Sequence, residues 1–315
     1  SENLKLLFIS SESYTGKDEI WKDAMLAEFP NAEFMFWSPN FSNFSEIDYA
    51  ITWKPPIGVL KKCAKLKAIL SLAAGVDNIL ADPNLPNVPI IRLIDSTLTH
   101  GMVEFVLHWV LHYHRDFDVC LNWQRQKYWG FLPQCDPKDR KIGIMGLGEL
   151  GCAVAEALIF LNFNVSGWSR SRKNQKFIKS FAGNEELTPF LNRTEILICL
   201  LPLTQDTKGI IKKETLLSLP KGAVIINAGR GEHMIVNDVL NSLDSDHLRG
   251  AVLDVFPQEP LPADDKFWTH PKVIVTPHTA SQTIPKSASK NIAQNIRLIE
   301  AGKLPLHVLD IERGY

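Results

Sequence analysis

Short apolar runs alternate with stretches of helical spacing along the whole chain. The runs are rich in Ile, Val, Leu and Phe, which is typical of buried strands. The first series of strand candidates is Leu4–Ile9, Ala32–Trp37, Ala50–Thr52, Ala68–Leu72 and Pro89–Arg92. The second series is Lys141–Met145, Asn164–Trp168, Glu195–Cys199, Ala223–Asn227, Ala251–Asp254 and Val273–Thr276. Strands that alternate with helices predict two α/β units, each built on a doubly wound parallel sheet.

Helical spacing separates these strands and links the two series. We predict helices at Asp18–Glu28, at Cys152–Leu161 and at Ile284–Ala301. The stretch Thr99–Tyr113 is long and apolar, so we expect a buried helix that leads from the first unit to the second. The segment Tyr128–Arg140 contains proline and ends in polar residues, which indicates a connecting loop.

The charge balance and the cysteines narrow the class of protein. The 315 residues carry 34 basic and 35 acidic side chains, and this balance argues against nucleic-acid or polybasic membrane binding. No apolar run reaches the length of about 18 residues that a membrane helix needs. The five cysteines are dispersed and form no Cys-x-x-Cys, so we expect reduced thiols in a cytoplasmic protein and no metal site.

A glycine-rich segment follows the first strand of the second series. Gly146, Gly148 and Gly151 form a Gly-x-Gly-x-x-Gly pattern between Lys141–Met145 and the predicted helix. In such a loop the glycines permit a tight turn, close approach of a pyrophosphate and close helix–strand packing. The anion then lies at the helix N-terminus. The context favours a dinucleotide site, with a methyl-donor-binding enzyme as the alternative.

Basic residues stand where the ribose of a dinucleotide is expected. An acidic residue about 20 positions after the glycines selects NAD, because it binds the ribose 2′-hydroxyl. Here Ser169, Arg170 and Arg172 occupy that region and no carboxylate is present. A guanidinium binds a phosphate in bidentate fashion, so we interpret these residues as a 2′-phosphate clamp for NADP(H). The alternative is a solvated basic loop.

Three polar residues follow the last three predicted strands. Arg230, Glu259 and His278 each come within a few positions of a strand's carboxyl end, where open α/β sheets bind their ligands. Histidine is suited to proton transfer near neutral pH, and a carboxylate neighbour favours its charged form and orients the ring. A guanidinium binds a substrate carboxylate. The set suits hydride transfer to a 2-keto acid.

Five ordered motifs give the chain a family resemblance. It resembles the D-isomer-specific 2-hydroxyacid dehydrogenases over nearly its whole length. The motifs are LAAGVDN (72–78), GLGELG (146–151), NAGRG (227–231), LDVFPQEPLP (253–262) and TPH (276–278). The chain departs from the family pattern in two places. Basic residues follow Asn164–Trp168, the second strand of the second series. Residues 278–280 read His-Thr-Ala, where the family more often has His-Ile-Gly or His-Ile-Ala.

The resemblance implies a fold with two domains. Residues 1–98 and 282–315 would form a flavodoxin-like substrate domain, and residues 99–281 an NAD(P)-binding Rossmann domain. Both are doubly wound parallel-sheet folds of the Rossmann-like class, with an active-site cleft between them. Homodimers that pair through the Rossmann domain are also implied.

The resemblance also implies roles for individual residues. His278 would be the acid/base, Glu259 its carboxylate partner and Arg230 the substrate-orienting group. The substrate-binding candidates are Trp53, Ala74, Gly75 and Val76. The cofactor-binding candidates are Gly146, Gly148, Glu149, Leu150, Gly151, Trp168, Ser169, Arg170, Arg172, Leu200, Leu201, Pro202, Ala228, Gly229 and Asp254.

The expected activity is NADPH-dependent reduction of small 2-keto acids. Glyoxylate to glycolate and hydroxypyruvate to D-glycerate are the leading reactions, and NAD(H) stays open as a second cofactor. The alternatives are a reductase of a bulkier 2-keto acid and a dinucleotide-sensing binding protein with little turnover. A stripe of Glu104, His108 and His112 on the long helix is interpreted as helix packing rather than a metal site.

Overall fold

The chain divides by packing into two compact units. The computed structural model describes residues 3–10, 17–173, 175 and 178–315. Unit 1 comprises Ser1–Leu98 and Thr283–Tyr315, and unit 2 comprises Thr99–Gln282.

The elements alternate between strand and helix, as the hydrophobic pattern predicts. The strands are β1 Lys5–Ser10, β2 Glu33–Phe36, β3 Tyr49–Trp53, β4 Ala68–Ser71, β5 Ile90–Ile91, β6 Lys141–Met145, β7 Asn164–Ser169, β8 Lys179–Ala182, β9 Ile196–Cys199, β10 Ala223–Asn227, β11 Leu248–Leu253 and β12 Val273–Val275. The helices are α1 Lys17–Glu28, α2 Asp77–Leu80, α3 Ser96–His114, α4 Phe117–Gln126, α5 Glu149–Phe160, α6 Gly183–Asn192, α7 Lys213–Ser218, α8 Val236–Asp244 and α9 Pro285–Glu300.

Unit 1 is built on a parallel sheet with the strand order β2-β1-β3-β4-β5 in its described part. Successive side chains of β1 enter opposite cores: Leu6 and Phe8 pack on one face, and Leu7 and Ile9 on the other. Burial on both faces explains why the strand is a continuous apolar run rather than an alternating one. Helix α9 brings the last part of the chain back to unit 1, where it packs on α1.

Unit 2 is built on a longer parallel sheet, with the order β12-β11-β10-β9-β6-β7-β8 among the described residues. Strand β6 lies between β7 and β9, so the chain winds away from it in both directions. Such a reversal opens a crevice beyond the carboxyl ends of the two central strands. The glycine-rich segment and residues 200–202 both begin at this crevice, because they follow β6 and β9. The predicted α/β class with parallel sheets is confirmed.

Several elements of unit 2 are absent from the sequence prediction, namely β8, α4, α6, α7 and α8. Strand β8 is a short edge strand whose exposed Lys179 interrupts the apolar pattern. Helix α4 contains no buried residue, so its apolar side chains do not mark a core-facing stripe. Strand β11 begins at Leu248 instead of Ala251, because Leu248 pairs with Ala223 across an irregular register.

The cysteines are free and two of them are deeply buried. Cys63 and Cys199 are enclosed by apolar side chains, whereas Cys120 is exposed on α4. Burial raises the pKa of the Cys63 thiol to about 11 and that of the Cys199 thiol to about 12. No helix among the described residues is both long enough and apolar enough to cross a membrane.

Replacing Phe190 by alanine should test the core of unit 2. Phe190 is fully buried on α6 and meets Phe181 edge-on at 5.7 Å between ring centroids. The cavity should lower the free energy of unfolding by about 3–5 kcal/mol, measured by urea denaturation. The matched control is Phe160→Ala, since Phe160 is 85% exposed at the end of α5 and its loss should cost less than about 0.5 kcal/mol. Equal losses in the two variants would contradict this packing.

Candidate functional site

The glycine-rich loop has the shape of a phosphate cradle. Gly146 has a φ of +104°, which L side chains rarely adopt, and its N–H donates to the carbonyl of Trp168 at 2.8 Å. A Cβ at Gly151 would lie 1.8 Å from the carbonyl oxygen of Gly146, so only glycine permits this contact between helix and turn. Gly148 faces open space, since a Cβ there would meet nothing within 4 Å. Gly146 and Gly151 thus permit close backbone contacts within the loop, whereas the backbone at Gly148 faces open space.

Helix α5 begins directly at this loop. Gly148 is its N-cap, and Glu149, Leu150 and Gly151 form its first turn. The amides of a first helical turn have no carbonyl partner within the helix and carry the positive end of its dipole. An anion at Gly148 would therefore meet backbone donors and a favourable field. These residues fit the pyrophosphate of a dinucleotide.

The loop after β9 lies against the glycine-rich turn. A Cβ at Gly146 would lie 2.7 Å from the carbonyl oxygen of Leu200, which shows how closely the two loops approach. Leu201 is buried in the core, whereas Leu200 and Pro202 are half-buried. The carbonyl of Pro202 accepts a hydrogen bond from the hydroxyl of Thr207 at 2.7 Å, which closes this loop. The predicted cofactor segments after β6 and β9 are thus neighbours.

The two arginines of the predicted clamp follow β7 and are paired with carboxylates. Arg170 donates to Asp206 at 2.8 Å, and Arg172 donates to Glu186 and to the carbonyl of Ser180. Both guanidinium groups are about half-exposed. Exposed pairs of this kind contribute at most about 1 kcal/mol, so a phosphate could compete with either carboxylate.

Trp168 and Ser169 lie at the end of β7 and serve the structure of the unit. The Trp168 indole is buried in the core and donates to the carbonyl of Gly183 at 2.8 Å. The Ser169 hydroxyl donates to the carbonyl of Ser171 and so shapes the turn that carries the arginines. A direct contact of either residue with a cofactor stays a prediction.

His278 and Glu259 form a direct contact between two loops. The Nδ1 atom of His278 lies 2.5 Å from Oε1 of Glu259, and both side chains are partly buried. A carboxylate only accepts, so Nδ1 carries the proton of this hydrogen bond. His278 has a φ of +50°, and its N–H donates to the carbonyls of Asp254 and Thr276. The prediction that these two side chains meet agrees with this geometry.

The carboxylate of Asp254 organises the loop that carries His278. It is buried and accepts hydrogen bonds from the Thr276 hydroxyl at 2.6 Å and from the amides of Thr279 and Ala280. The family resemblance implies that Asp254 lies near the cofactor. The structure shows a bonding role within the loop, and contact with a nicotinamide stays a prediction.

Arg230 lies in a turn fixed by a buried asparagine. The Asn227 side chain donates to the carbonyl of Arg230 at 3.1 Å and accepts from the amide of Gly229 at the same distance. Ala228 and Gly229 are buried within this turn. A Cβ at Gly231 would lie 1.9 Å from the carbonyl carbon of Phe256, so the turn packs directly on the loop that leads to Glu259.

Sheet order brings the three loops together. Strands β10, β11 and β12 are parallel neighbours, so their carboxyl ends meet at one edge. The close approach of Gly231 to Phe256 and the bond from His278 to Asp254 connect the loops in sequence. The structure therefore unites His278 with Glu259 and places the Arg230 turn on the adjacent strand end.

The remaining predicted residues lie in unit 1. Trp53 ends β3 and is half-buried, with Nζ of Lys54 over its ring at 5.5 Å from the centroid. Ala74 and Gly75 are half-buried in the loop after β4, whereas Val76 is buried in the core. These residues therefore cluster at the carboxyl ends of adjacent strands of their own sheet. Their role in substrate binding stays a prediction.

The stripe of Glu104, His108 and His112 lies on α3, and its two histidines pack against a neighbouring ring of the same helix. His108 and His112 meet the ring of Trp109 edge-on at 4.5 Å and 5.3 Å between centroids. Burial lowers the pKa of His112. Among the residues that the structure describes, no group of three or more metal-binding side chains comes together.

Comparison with known proteins decides the family. The model of the D-isomer specific 2-hydroxyacid dehydrogenase NAD binding domain matches residues 107–280, more than half of the chain. The chain belongs to this family. A D-isomer specific 2-hydroxyacid dehydrogenase from Xanthobacter autotrophicus Py2, solved with NADPH and MES, is 37% identical, with a TM-score of 0.93 and 99% of each chain covered.

Other 2-hydroxyacid dehydrogenases of known structure are equally similar. The NADPH-dependent glyoxylate/hydroxypyruvate reductase of Sinorhizobium meliloti, in complex with NADP and sulfate, is 34% identical, with a TM-score of 0.91, 99% of this chain and 100% of that chain covered. A family member from Klebsiella pneumoniae 342 is 39% identical, with a TM-score of 0.90, 98% of this chain and 97% of that chain covered. The resemblance stated from the motifs is confirmed.

Sequence reasoning missed two buried polar residues behind the site. Asn227 and His233 are fully buried and both bond to the backbone of Arg230. Polar residues beside a motif such as NAGRG are a signal for such support, because a buried polar group needs partners. The sequence alone does not say which backbone atoms they reach.

Two alanine substitutions should separate the two roles of the glycine-rich loop. Gly148→Ala should leave the free energy of unfolding within about 0.5 kcal/mol, since its φ of −76° suits alanine and its surroundings are open. The added methyl should nevertheless weaken dinucleotide binding, measured by NADPH fluorescence titration. Gly151→Ala should cost at least about 1–3 kcal/mol of unfolding free energy through the clash with Gly146. If Gly148→Ala bound NADPH as the parent does, the cradle would lie elsewhere.

Proposed function

We propose that this dehydrogenase reduces small 2-keto acids with NADPH, with His278, Glu259 and Arg230 as its catalytic residues. The observation that carries the proposal is the 2.5 Å contact between His278 and Glu259 at the strand edge of the dinucleotide-binding unit. The family model supports the reaction class, because 2-hydroxyacid dehydrogenases exchange a hydride between a nicotinamide and a hydroxy or keto acid.

Each polar group has a distinct task in this reaction. When bound, the reduced nicotinamide supplies the hydride for the keto carbon. Nε2 of His278 donates the proton that the carbonyl oxygen takes up, while Glu259 holds Nδ1 and favours the charged imidazolium. The guanidinium of Arg230 binds the substrate carboxylate and stabilises developing negative charge.

NADP(H) is the proposed cofactor, with NAD(H) as a weaker second. The support comes from Arg170 and Arg172 after β7, where a carboxylate would instead favour NAD. Relatives from Xanthobacter and Sinorhizobium are described with NADPH and NADP. On binding, the 2′-phosphate would take the place of Asp206 beside Arg170 and of Glu186 beside Arg172.

Glyoxylate and hydroxypyruvate are the proposed substrates. The Sinorhizobium relative that carries these activities in its name supports this choice. In unit 1, Trp53 would limit the size of the substrate, and the loop Ala74–Val76 would offer its backbone amides to a carboxylate. A bulkier 2-keto acid is the alternative within the same chemistry.

Pairing of two copies through unit 2 completes the proposal. Its support is an apolar surface on α3 and α4 with a groove of about 430 Å³, lined by Trp109, Phe117 and Leu121. Trp129 and Phe131 follow α4 in the chain and are 98% and 86% exposed. Exposed apolar area of this kind marks a protein interface.

The proposed location is the cytoplasm. The five cysteines are free, and a reducing cytoplasm keeps thiols in this state.

The decisive assay is a panel of 2-keto acids with NADPH and with NADH. Glyoxylate and hydroxypyruvate should be consumed with NADPH, and His278→Ala should lower kcat by about 100- to 10,000-fold, because the proton donor is lost. His247→Ala is the matched control, since this histidine bonds to Leu216 away from the strand edge. Binding of NADPH without turnover of any acid would favour a dinucleotide sensor instead.

Glu259→Gln should change the pH dependence of the same reaction. The variant keeps a hydrogen-bonding partner for His278 but removes the charge that favours imidazolium. The rate of reduction should therefore begin to fall at a lower pH than in the parent, measured as kcat against pH with NADPH saturating. A pH profile identical to that of the parent would show that Glu259 does not tune the acid.

The arginine clamp predicts a cofactor-specific defect. Arg170→Ala combined with Arg172→Ala should raise the KM for NADPH by about 10- to 100-fold and leave that for NADH nearly unchanged. Asp206→Asn should act in the opposite direction and tighten NADPH binding by about two- to fivefold, because Arg170 loses its competing partner. Equal effects on both dinucleotides would contradict a 2′-phosphate contact.

A further inference from the structure

His233 is a fully buried histidine with a hydrogen bond at each ring nitrogen. It lies in the short helical turn after Arg230, at the carboxyl side of β10. Its Nδ1 atom is 2.9 Å from the backbone nitrogen of Arg230, and its Nε2 atom is 3.2 Å from the carbonyl oxygen of Pro202. One ring thus spans the loop after β10 and the loop after β9.

The two bonds define the protonation of the ring. The amide of Arg230 donates, so Nδ1 accepts and carries no proton. Nε2 therefore carries the proton and donates to the carbonyl of Pro202, and the imidazole is neutral. A ring held in a single tautomer fixes the distance and direction between the two backbone atoms it joins.

The backbone of His233 is bonded separately from its ring. Its N–H donates to the carbonyl of Arg230 at 3.2 Å, and its carbonyl accepts from the N–H of Ile211 at 2.8 Å. The turn itself is therefore held by main-chain bonds and by Asn227. The ring adds a hydrogen bond to the carbonyl of Pro202, and the turn does not need this bond to form.

We propose that His233 is a positioning residue that anchors the cofactor loop after β9 through Nε2 and the backbone of Arg230 through Nδ1. This inference rests on the proposed function, in which Leu200–Pro202 contact the dinucleotide and Arg230 binds the substrate carboxylate. His233 contacts neither the substrate nor the cofactor in this scheme. It sets the backbone of Arg230 against the loop that carries the cofactor.

Asparagine and glutamine separate the two bonds. The Oδ1 atom of an asparagine can take the place of Nδ1 but does not reach Pro202. The Nε2 amide of a glutamine can take the place of the ring Nε2 and donate to Pro202, at the cost of the acceptor beside the Arg230 amide. His233→Asn thus retains one connection and His233→Gln the other, whereas His233→Leu removes both.

The two variants should show opposite kinetic defects. His233→Asn should weaken NADPH binding by about tenfold and leave the KM for glyoxylate within about threefold, because only the Pro202 bond is lost. His233→Gln should raise the KM for glyoxylate by about tenfold and leave NADPH affinity within about threefold. His233→Leu should show both defects. NADPH affinity is measured by fluorescence titration and the KM by steady-state rates.

A matched histidine controls for loss of stability alone. His247 also bonds to a backbone carbonyl, that of Leu216 at 2.8 Å, but lies away from Arg230 and Pro202. His247→Leu should lower the thermal midpoint without changing either constant. The same shift in both constants for His233→Asn and His233→Gln, or no shift in either, would overturn the proposal, and so would failure of both variants to fold.

Failure of the proposed function gives a different result. If the parent protein turned over no 2-keto acid but bound NADPH, the proposed reaction would be wrong, while the effect of the bond to Pro202 could still be measured from NADPH affinity. In that case His233→Asn should bind NADPH about tenfold more weakly than His233→Gln. Equal NADPH affinities in the two variants would then reject the role of His233 independently of catalysis.

Discussion

Close backbone approach at the carboxyl edge of one sheet is the constraint on which the candidate site depends. Gly151 touches the carbonyl of Gly146, and Gly231 touches the backbone of Phe256, at distances that no side chain would permit. The first contact places a helix N-terminus beside a turn. The second places the turn of Arg230 against the loop of Glu259. The proposed catalytic groups come from distant parts of the sequence and can be neighbours because these backbones are in contact.

Local sequence patterns were sufficient to predict the strands, loop and helix that form the framework of the candidate site. The strand β6, the loop Gly146–Gly151 and helix α5 follow from a strand–glycine–helix pattern that is set by neighbouring residues. The polar residues after β10, β11 and β12 were found because the carboxyl ends of parallel strands share one edge. Strand β8 and helix α4 were not predicted, because neither presents a continuous buried face.

The distances and partners of the side chains could not be predicted from the sequence. The pairing of His278 with Glu259 was expected, but its distance depends on the loop that Asp254 organises from beneath. The buried bonds of Asn227 and His233 depend on backbone atoms of other loops, which no spacing in the sequence encodes. The carboxylates beside Arg170 and Arg172 likewise come from separate segments. Tertiary contacts of this kind appear only when the strands are assembled.

The placement of the cysteines bears on how the protein meets oxidants. Cys199 ends β9, immediately before the loop that leads to Pro202, and burial suppresses its thiolate. Peroxides react with thiolates, so this position resists modification at neutral pH. Cys120 on α4 is exposed in a single copy and lines the groove through which two copies are proposed to pair. Oxidants are therefore expected to leave the end of β9 unmodified, at the point where the proposed cofactor loop begins.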